Sequence, residues 1–182
     1  MAKLSVLILA KNEEKNIADC IKSVAFADEV VVIDDFSEDT TAAIAEGLGA
    51  RVVQRAMKGN WGEQQTFAIE QASYDWVFFI DADERASKRL AAKVREVVAA
   101  DDRRYAYNIA RLNYFWEQPL RHGGWFPDYG MHLLPREGVY VTGFVHPQIH
   151  HAYEEEHLLK QEHIIHYPYR DWEHYFNKLN LY

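Results

Sequence analysis

The feature that most constrains the fold is an alternation of short apolar runs with amphipathic segments over the first hundred residues. The apolar runs predict strands over 4–10, 29–34, 51–54 and 75–80, and the other segments predict helices over 12–24, 37–48, 61–72 and 87–100. Strands that alternate with helices at this spacing form a parallel sheet with right-handed crossovers. The sequence therefore predicts an α/β fold, with a mostly parallel central sheet flanked by helices.

Polar residues follow three of these predicted strands. They are Lys11-Asn12-Glu13, Asp34-Asp35 and Asp81-Ala82-Asp83. In open parallel sheets, ligands bind beyond the carboxyl ends of the strands, so these groups are expected to face one crevice. The sequence has no glycine-rich phosphate loop of either common type. A phosphate group in this crevice would therefore be held by a metal ion and side chains.

The spacing of Asp81 and Asp83 has two interpretations. Alternate carboxylates in an extended segment face the same way, and they repel each other unless a cation lies between them. Hard divalent cations favour such oxygen ligands. Alternatively, Asp83, Glu84 and Ser87 only precede a helix and cap it. The same choice between local loop chemistry and ligand binding applies to the other two polar segments.

Composition restricts the class of protein. The chain has 182 residues, a mass of 21.2 kDa and a net charge of −8, which suits one domain and argues against a general nucleic-acid binder. Cys20 is the single cysteine, so an intramolecular disulfide is excluded. No apolar run is long enough for a transmembrane helix and no cleavage site follows the start. We expect a cytoplasmic protein, with a peripheral membrane contact left open.

The second half differs in composition from the first. All nine histidines lie after residue 121, and ten of the eleven tyrosines lie after residue 100. This shift predicts two halves of one domain, 1–100 and 101–182, with a mixed α+β second half. His146 follows an apolar pair at a predicted strand end, and it is either a metal or diphosphate ligand or a structural histidine. A structural zinc site among the histidines is disfavoured because no cysteine accompanies them.

Three segments together resemble glycosyltransferase family 2, of the GT-A fold. They are 10–14 (AKNEE), 31–40 (VVIDDFSEDT) and 80–85 (IDADER), and they cover about the first 90 residues. Two later segments, 124–128 and 144–146, resemble the branch that contains the lipopolysaccharide-core β-glucosyltransferases. The resemblance implies an inverting, metal-dependent transfer of a sugar from a nucleotide diphosphate, with UDP favoured, to a glycan or glycolipid acceptor. It also implies lipopolysaccharide-core or other cell-surface glycan synthesis at the inner face of the plasma membrane.

The resemblance also implies roles for individual residues. Some are expected to bind the nucleotide and others to bind a metal ion. The divalent cation would be Mn²⁺ or Mg²⁺, with Asp83 and His146 as its ligands. Independently of the resemblance, Gly and Pro place Trp125 on a loop, where it is expected to stack on a sugar, whereas an ordinary aromatic core is the better interpretation for most rings of the second half. The nucleotide-binding residues are expected to be Ala10, Asn12, Glu13, Asp34, Asp35 and Asp81.

The sequence departs from the family pattern at three places. Phe36 stands where glycine is usual, and Pro147 follows Val145-His146 where glutamate is usual. Because that glutamate is the natural candidate for the general base, we predict Asp128 as the catalytic base instead. The chain also stops inside a helical pattern over 172–179, so we expect a sequence cut short at its C-terminus.

Two other functions are compared with this pattern by what each would require of the sequence. A nucleotidyltransferase would need a glycine-rich basic loop after the first strand, and residues 11–13 contain no glycine, so this function is disfavoured. A non-catalytic module that binds a nucleotide sugar or a glycan stays open, because the usual glutamate after His146 is missing.

Overall fold

The computed structural model describes residues 1–158, 160–169, 172 and 176. The first half contains strands and helices in regular alternation. In chain order these are β1 (Leu4–Ala10), α1 (Ile17–Ser23), β2 (Glu29–Asp34), α2 (Thr41–Gly47), β3 (Arg51–Gln54), α3 (Trp61–Gln71), β4 (Trp76–Phe79), β5 (Glu84–Ala86) and α4 (Lys88–Ala100).

The second half is built mainly from strands. They are β6 (Tyr105–Phe115), β7 (Gln118–Pro119), β8 (Asp128–Pro135), β9 (Tyr140–Thr142), β10 (Gln148–His150), β11 (Glu154–His157) and β12 (His163–His166). The helical pattern expected over 172–179 lies largely outside the described residues, with only Trp172 and Phe176 inside them. None of the helices in the described part of the chain combines the length and apolar character needed to cross a membrane.

One sheet runs through both halves, in the order β3-β2-β1-β4-β8-β6-β12-β5. The pairs β3–β2, β2–β1 and β1–β4 are parallel, as the sequence predicts. Strand β8 then inserts antiparallel between β4 and β6, and β12 runs parallel to β6 and antiparallel to β5. The prediction of a mostly parallel α/β sheet flanked by helices is confirmed, and antiparallel strands extend that sheet into the second half.

The central strands are buried on both faces, which is why they appear as continuous apolar runs in the sequence. In β1, Val6 and Ile8 face one hydrophobic cluster together with α1 and α4, whereas Leu7 faces a second cluster that includes α3. Trp76 is fully buried, and its indole Nε1 donates to Asp101 Oδ1 at 2.9 Å. The core therefore fixes β1, β2 and β4 side by side and brings their carboxyl ends together.

Strands β1, β2 and β3 match their predicted bounds, but two helices begin later than predicted. Helix α1 begins at Ile17 rather than near Asn12, and α2 begins at Thr41 rather than near Ser37. Asn12 has a φ of 54°, in the left-handed region, so it does not cap a helix. Ser87 does cap α4, since Leu90 N donates to its Oγ at 3.2 Å, and Glu84 instead forms part of β5.

Candidate functional site

A cavity of about 390 Å³ lies at the carboxyl ends of β1, β2 and β4. Residues that follow each of these strands line it, together with side chains from β6 and β12. The prediction that the polar strand ends share one crevice is therefore confirmed. The polar lining includes Lys11, Glu13, Asp35, Asp81, Asp83, Arg111 and His166, and Ala10, Met57 and Trp61 contribute backbone and apolar surface.

The loops after β1 and β2 hold each other in place. Asn12 N donates to Ser37 Oγ at 2.9 Å, and Glu38 N donates back to Asn12 Oδ1 at 2.8 Å. Glu13 N donates to Thr41 Oγ1 at 2.7 Å. These bonds use the residues that the sequence places before the helices, which explains why α1 and α2 begin late. Asn12 lies outside the cavity lining, whereas Glu13 lines it.

The two adjacent acids after β2 have different environments. Asp34 is fully buried, and its carboxylate accepts from Ser37 Oγ at 2.5 Å and from Ser37 N at 3.0 Å, so it supports the loop from behind the cavity. Asp35 lines the cavity and accepts from Lys11 Nζ at 2.9 Å and Met57 N at 3.0 Å. Burial raises the pKa of Asp35, but the Lys11 and Met57 donors lower it by more, so this carboxylate has a pKa below its usual value.

Asp83 faces a histidine across the cavity. The Nε2 atom of His166 lies 3.4 Å from Asp83 Oδ2, and the Nδ1 atom of the same ring donates to Asn113 Oδ1 at 2.6 Å. In the neutral ring, Nε2 therefore presents a lone pair toward a carboxylate oxygen. A histidine oriented through its other nitrogen, beside a carboxylate, is the usual arrangement of a metal ligand with its supporting hydrogen bond.

Three side chains of this cavity carry atoms of the kind that bind divalent cations. Asp81 and Asp83 supply hard oxygen atoms and His166 supplies a nitrogen, as Mn²⁺ accepts. Among the described residues, no group of three His, Cys, Asp or Glu side chains is arranged so that it could hold a metal ion by itself. An ion held here would therefore need further oxygen atoms, and a diphosphate supplies them.

A second cavity of about 420 Å³ adjoins the first, because Asp81 and Arg111 line both. The His132 ring lines it, and its Nδ1 donates to Phe79 O at 2.8 Å. Burial lowers the pKa of His132 to about 4, so the ring is neutral near pH 7 and its Nε2 is a hydrogen-bond acceptor. Gln65 also lines this cavity, and its Oε1 is buried without a hydrogen-bond partner in the described structure.

Arg111 stands between the two cavities in a network of carboxylates. Its Nε and Nη2 donate to Asp128 Oδ2 at 3.0 and 2.8 Å, and its Nη1 lies 3.5 Å from Glu84 Oε1. Glu84 is fully buried and accepts from Asp81 N at 2.9 Å. Burial and the nearby Asp81 charge hold the pKa of Glu84 well above its usual value, although Arg111 acts in the opposite direction.

Besides Asn12 and Asp34, three more residues of the predicted site lie outside the linings of both cavities. Asp128 is half-exposed and ion-paired with Arg111, and Trp125 is 47% exposed in the loop that precedes β8. His146 lies in an exposed turn between β9 and β10 rather than beside Asp83. The histidine beside Asp83 is His166, because β12 pairs with β6 and ends at the cavity. The predicted metal role of His146 is therefore not supported by this arrangement.

Sequence reasoning missed His166 and Arg111. His166 ends the short run His163-Ile164-Ile165, so it follows the same pattern of a polar residue after an apolar strand that identified Asp81. Arg111 lies inside β6 between apolar neighbours, and a charged residue there was a second signal. Neither pattern could show that the residue lies at the cavity, because the positions of Arg111 and His166 depend on how the strands of the second half pair with those of the first.

Curated relatives match about three fifths of the chain. An uncharacterized glycosyltransferase of Rickettsia felis is 44% identical over 115 residues, covering 62% of this chain and 40% of the relative. The lipopolysaccharide core biosynthesis glycosyltransferase LpsC of Rhizobium meliloti is 38% identical over 116 residues, covering 61% of this chain and 43% of the relative. The chain thus spans about two fifths of the length of these relatives.

Solved structures share the fold. TarS 1–349 of Staphylococcus aureus, in complex with UDP-GlcNAc, superposes with a TM-score of 0.68 at 19% identity, covering 94% of this chain and 60% of that one. Glucosyl-3-phosphoglycerate synthase of Mycobacterium tuberculosis, in complex with Mn²⁺, UDP and glucosyl-3-phosphoglycerate, superposes with a TM-score of 0.51 at 25% identity, covering 63% and 45%. The architecture is the GT-A fold of glycosyltransferases. The family model described as "Glycosyl transferase family 2" matches residues 5–166, and the chain belongs to that family.

Proposed function

We propose that the chain transfers a sugar from a nucleotide diphosphate donor to a glycan or glycolipid acceptor, with inversion at the sugar carbon. The observation that carries the proposal is the pair Asp83–His166, which faces the cavity at the strand ends together with Asp81. This pair suits a cation that binds a diphosphate. Membership of glycosyl transferase family 2 supports the reaction class.

We assign the donor to the first cavity. Asp35, Glu13 and the backbone at Ala10 would hold the nucleoside, while Asn12 and Asp34 act through the loops that they support. UDP is favoured because the two structural neighbours were crystallised with UDP-GlcNAc and with UDP and Mn²⁺. Asp81, Asp83 and His166 would hold Mn²⁺ or Mg²⁺, and this cation would stabilise the charge on the leaving diphosphate.

We assign the acceptor to the second cavity. The Gln65 Oε1 and His132 Nε2 atoms accept hydrogen bonds, so they suit the hydroxyl groups of a neutral sugar. Asp128 is the proposed base that takes the proton of the attacking hydroxyl, and Trp125 is the proposed stacking surface for the remainder of the acceptor. Similarity to LpsC supports a lipopolysaccharide-core acceptor, and a reaction of this kind would take place at the cytoplasmic face of the membrane.

The test is donor turnover with a panel of radiolabelled UDP-, GDP-, CMP- and ADP-sugars, each with and without Mn²⁺. We expect release of the nucleotide from a UDP-sugar only with the metal present, and loss of this release in Asp83→Asn. Release from another nucleotide sugar would keep the reaction and change the donor. Turnover that does not depend on metal or on Asp83 would contradict the proposal.

A non-catalytic module that binds a nucleotide sugar is the second candidate. The ion pair between Asp128 and Arg111 favours it, because two guanidinium donors already occupy the Oδ2 atom of Asp128. Binding of UDP without turnover, in a chain extended to the full length of its relatives, would support this candidate.

A further inference from the structure

A groove of about 640 Å³ between α1, β5 and the start of α4 carries a concentration of positive charge. Lys15, Lys22, Arg85 and Lys88 line it, and Asp19 is the carboxylate among its lining residues. The surplus of cations stands out because the whole chain has a net charge of −8. The groove is separate from both cavities of the proposed active site, with which it shares no lining residue.

The lysines of this groove are available to a partner. Lys15, Lys22 and Lys88 are exposed, and no ion pair within the described part of the chain involves them. Arg85 is held more firmly, since its Nη1 donates to Ala82 O at 2.9 Å and to Glu84 O at 2.7 Å. The groove thus combines one half-buried, hydrogen-bonded guanidinium with three exposed lysine side chains.

Aromatic side chains adjoin the groove at Tyr167. The Arg85 guanidinium lies 5.8 Å from the Tyr167 ring, and that ring lies 5.3 Å from Tyr114. Next along the chain, Trp172 packs 4.4 Å from Trp116 and 6.1 Å from Phe176, measured between ring centroids. Trp172 and Phe176 are 57% and 55% exposed, which is unusual for large apolar side chains that pack on each other.

We propose that the basic groove and these aromatic residues form a docking surface for an anionic phospholipid bilayer. Lysine and arginine near a membrane are attracted to anionic headgroups, and tryptophan and tyrosine rings favour the interface between headgroups and acyl chains. The positive charge of the groove favours an anionic partner. The exposed Trp172–Phe176 pair favours a bilayer over a soluble phosphate ion, because only the bilayer offers an apolar region for these rings to contact. This inference does not rest on the proposed sugar transfer.

The test is sedimentation of the protein with phosphatidylglycerol-containing vesicles and with phosphatidylcholine vesicles. We expect binding to the anionic vesicles only, weakened by added salt. The triple variant Lys15→Gln/Lys22→Gln/Lys88→Gln should bind about 100-fold more weakly, at about fivefold for each lysine. The control Lys3→Gln/Lys93→Gln/Lys160→Gln has the same change of net charge and should bind as the wild type does.

A second variant tests the apolar contact. Trp172→Ser/Phe176→Ser should weaken vesicle binding about tenfold or more while the thermal midpoint of unfolding stays within a few degrees. Equal losses in the two lysine variants would overturn the proposal, because net charge alone would then explain the binding. Equal affinity for both kinds of vesicle would also overturn the proposal. The proposal would likewise fail if inorganic phosphate or a single-stranded oligonucleotide bound the groove and anionic vesicles did not.

Discussion

Phe36 holds a backbone conformation that is costly for its side chain. Its φ is 49°, in the left-handed region, and its side chain is 54% exposed. The position follows Asp34-Asp35, where the chain must turn so that Ser37 can reach the Asp34 carboxylate. This turn explains why glycine is usual at this place in the family pattern, since glycine adopts a positive φ without steric cost.

Phe36→Gly should therefore be more stable than Phe36→Ala. Both variants lose the same exposed ring, but only glycine relieves the left-handed strain, which is worth about 1 kcal/mol. Urea denaturation of both proteins measures the difference in the free energy of unfolding. If the alanine variant were the more stable of the two, the backbone at this position would not be strained.

Asp128→Asn separates a catalytic role from a structural one. If Asp128 is the base, kcat should fall about 100-fold or more, while KM for the donor changes little. The matched control is Asp102→Asn, because Asp102 is also paired with an arginine, Arg104, but lies away from both cavities. An unchanged kcat in Asp128→Asn would leave Asp128 only the role of positioning Arg111.

The sequence identified the acids of the site but could not show which of Asp34 and Asp35 faces the cavity. Which of two adjacent residues faces a cavity depends on the twist at the end of β2 and on the partner loop, and neither is encoded locally. The same limit explains why the sequence pattern indicated His146 as the metal ligand and did not indicate His166. Both follow apolar pairs, and only the pairing of β12 with β6 brings His166 to Asp83.

At the scale of elements, most of the first half was predictable because β1, β2 and β4 contain continuous apolar runs. Strands β1, β2 and β3 match to the residue, whereas the short β5 has no apolar run and was not predicted. Most strands of the second half are short and partly exposed, as in β11 with Glu154–His157, whereas β6 is long and largely buried. The positions of the short strands depend on pairing across long stretches of the chain, which the local pattern does not contain.

Helix α3 packs tightly on the segment that leads out of β9. A Cβ atom on Gly62 would lie 2.7 Å from the backbone carbonyl carbon of Thr142, and Gly62 N donates to Gly143 O at 2.9 Å. Gly62→Ala should therefore destabilise the fold by about 1–3 kcal/mol.

The matched control is Gly47→Ala at the end of α2, where a Cβ atom would meet nothing within 4 Å. It should be neutral or stabilising by up to about 1 kcal/mol, because alanine has the higher helix propensity. Urea denaturation measures both variants. Equal free energies of unfolding for Gly62→Ala and Gly47→Ala would mean that α3 and β9 can separate without cost.

His132 links β8 to β4 through Phe79 O and gives the fold a pH dependence. Its pKa is lowered from 6.5 to about 4 by burial, so the unfolded chain binds the proton more tightly. Stability from this group is complete above pH 6.5 and is lost as the pH falls toward 4, by at most about 3 kcal/mol.

His132→Asn can still donate to Phe79 O but does not titrate. Its free energy of unfolding should therefore fall less than that of the wild type between pH 6.5 and 4, as measured by urea denaturation at a series of pH values. Parallel curves for the two proteins would show that His132 is not the group responsible.

At the scale of the whole molecule, the continuous sheet brings distant residues to one place. Asp35, Asp83, Arg111 and His166 come from four separate strand ends or strands, and β8 joins the two halves by pairing with both β4 and β6. The location of the crevice followed from the parallel sheet alone. Its completion by Arg111 and His166 required the antiparallel extension of that sheet.

The most direct test of the central claim is a calorimetric titration of UDP with and without Mn²⁺. We predict tight binding only with the metal, and affinity at least tenfold weaker in Asp83→Asn and in His166→Gln. His163→Gln, which replaces a histidine at the other end of β12, should bind as the wild type does. UDP binding that is independent of Mn²⁺, or unchanged in both cavity variants, would contradict a metal-assisted nucleotide site at these strand ends.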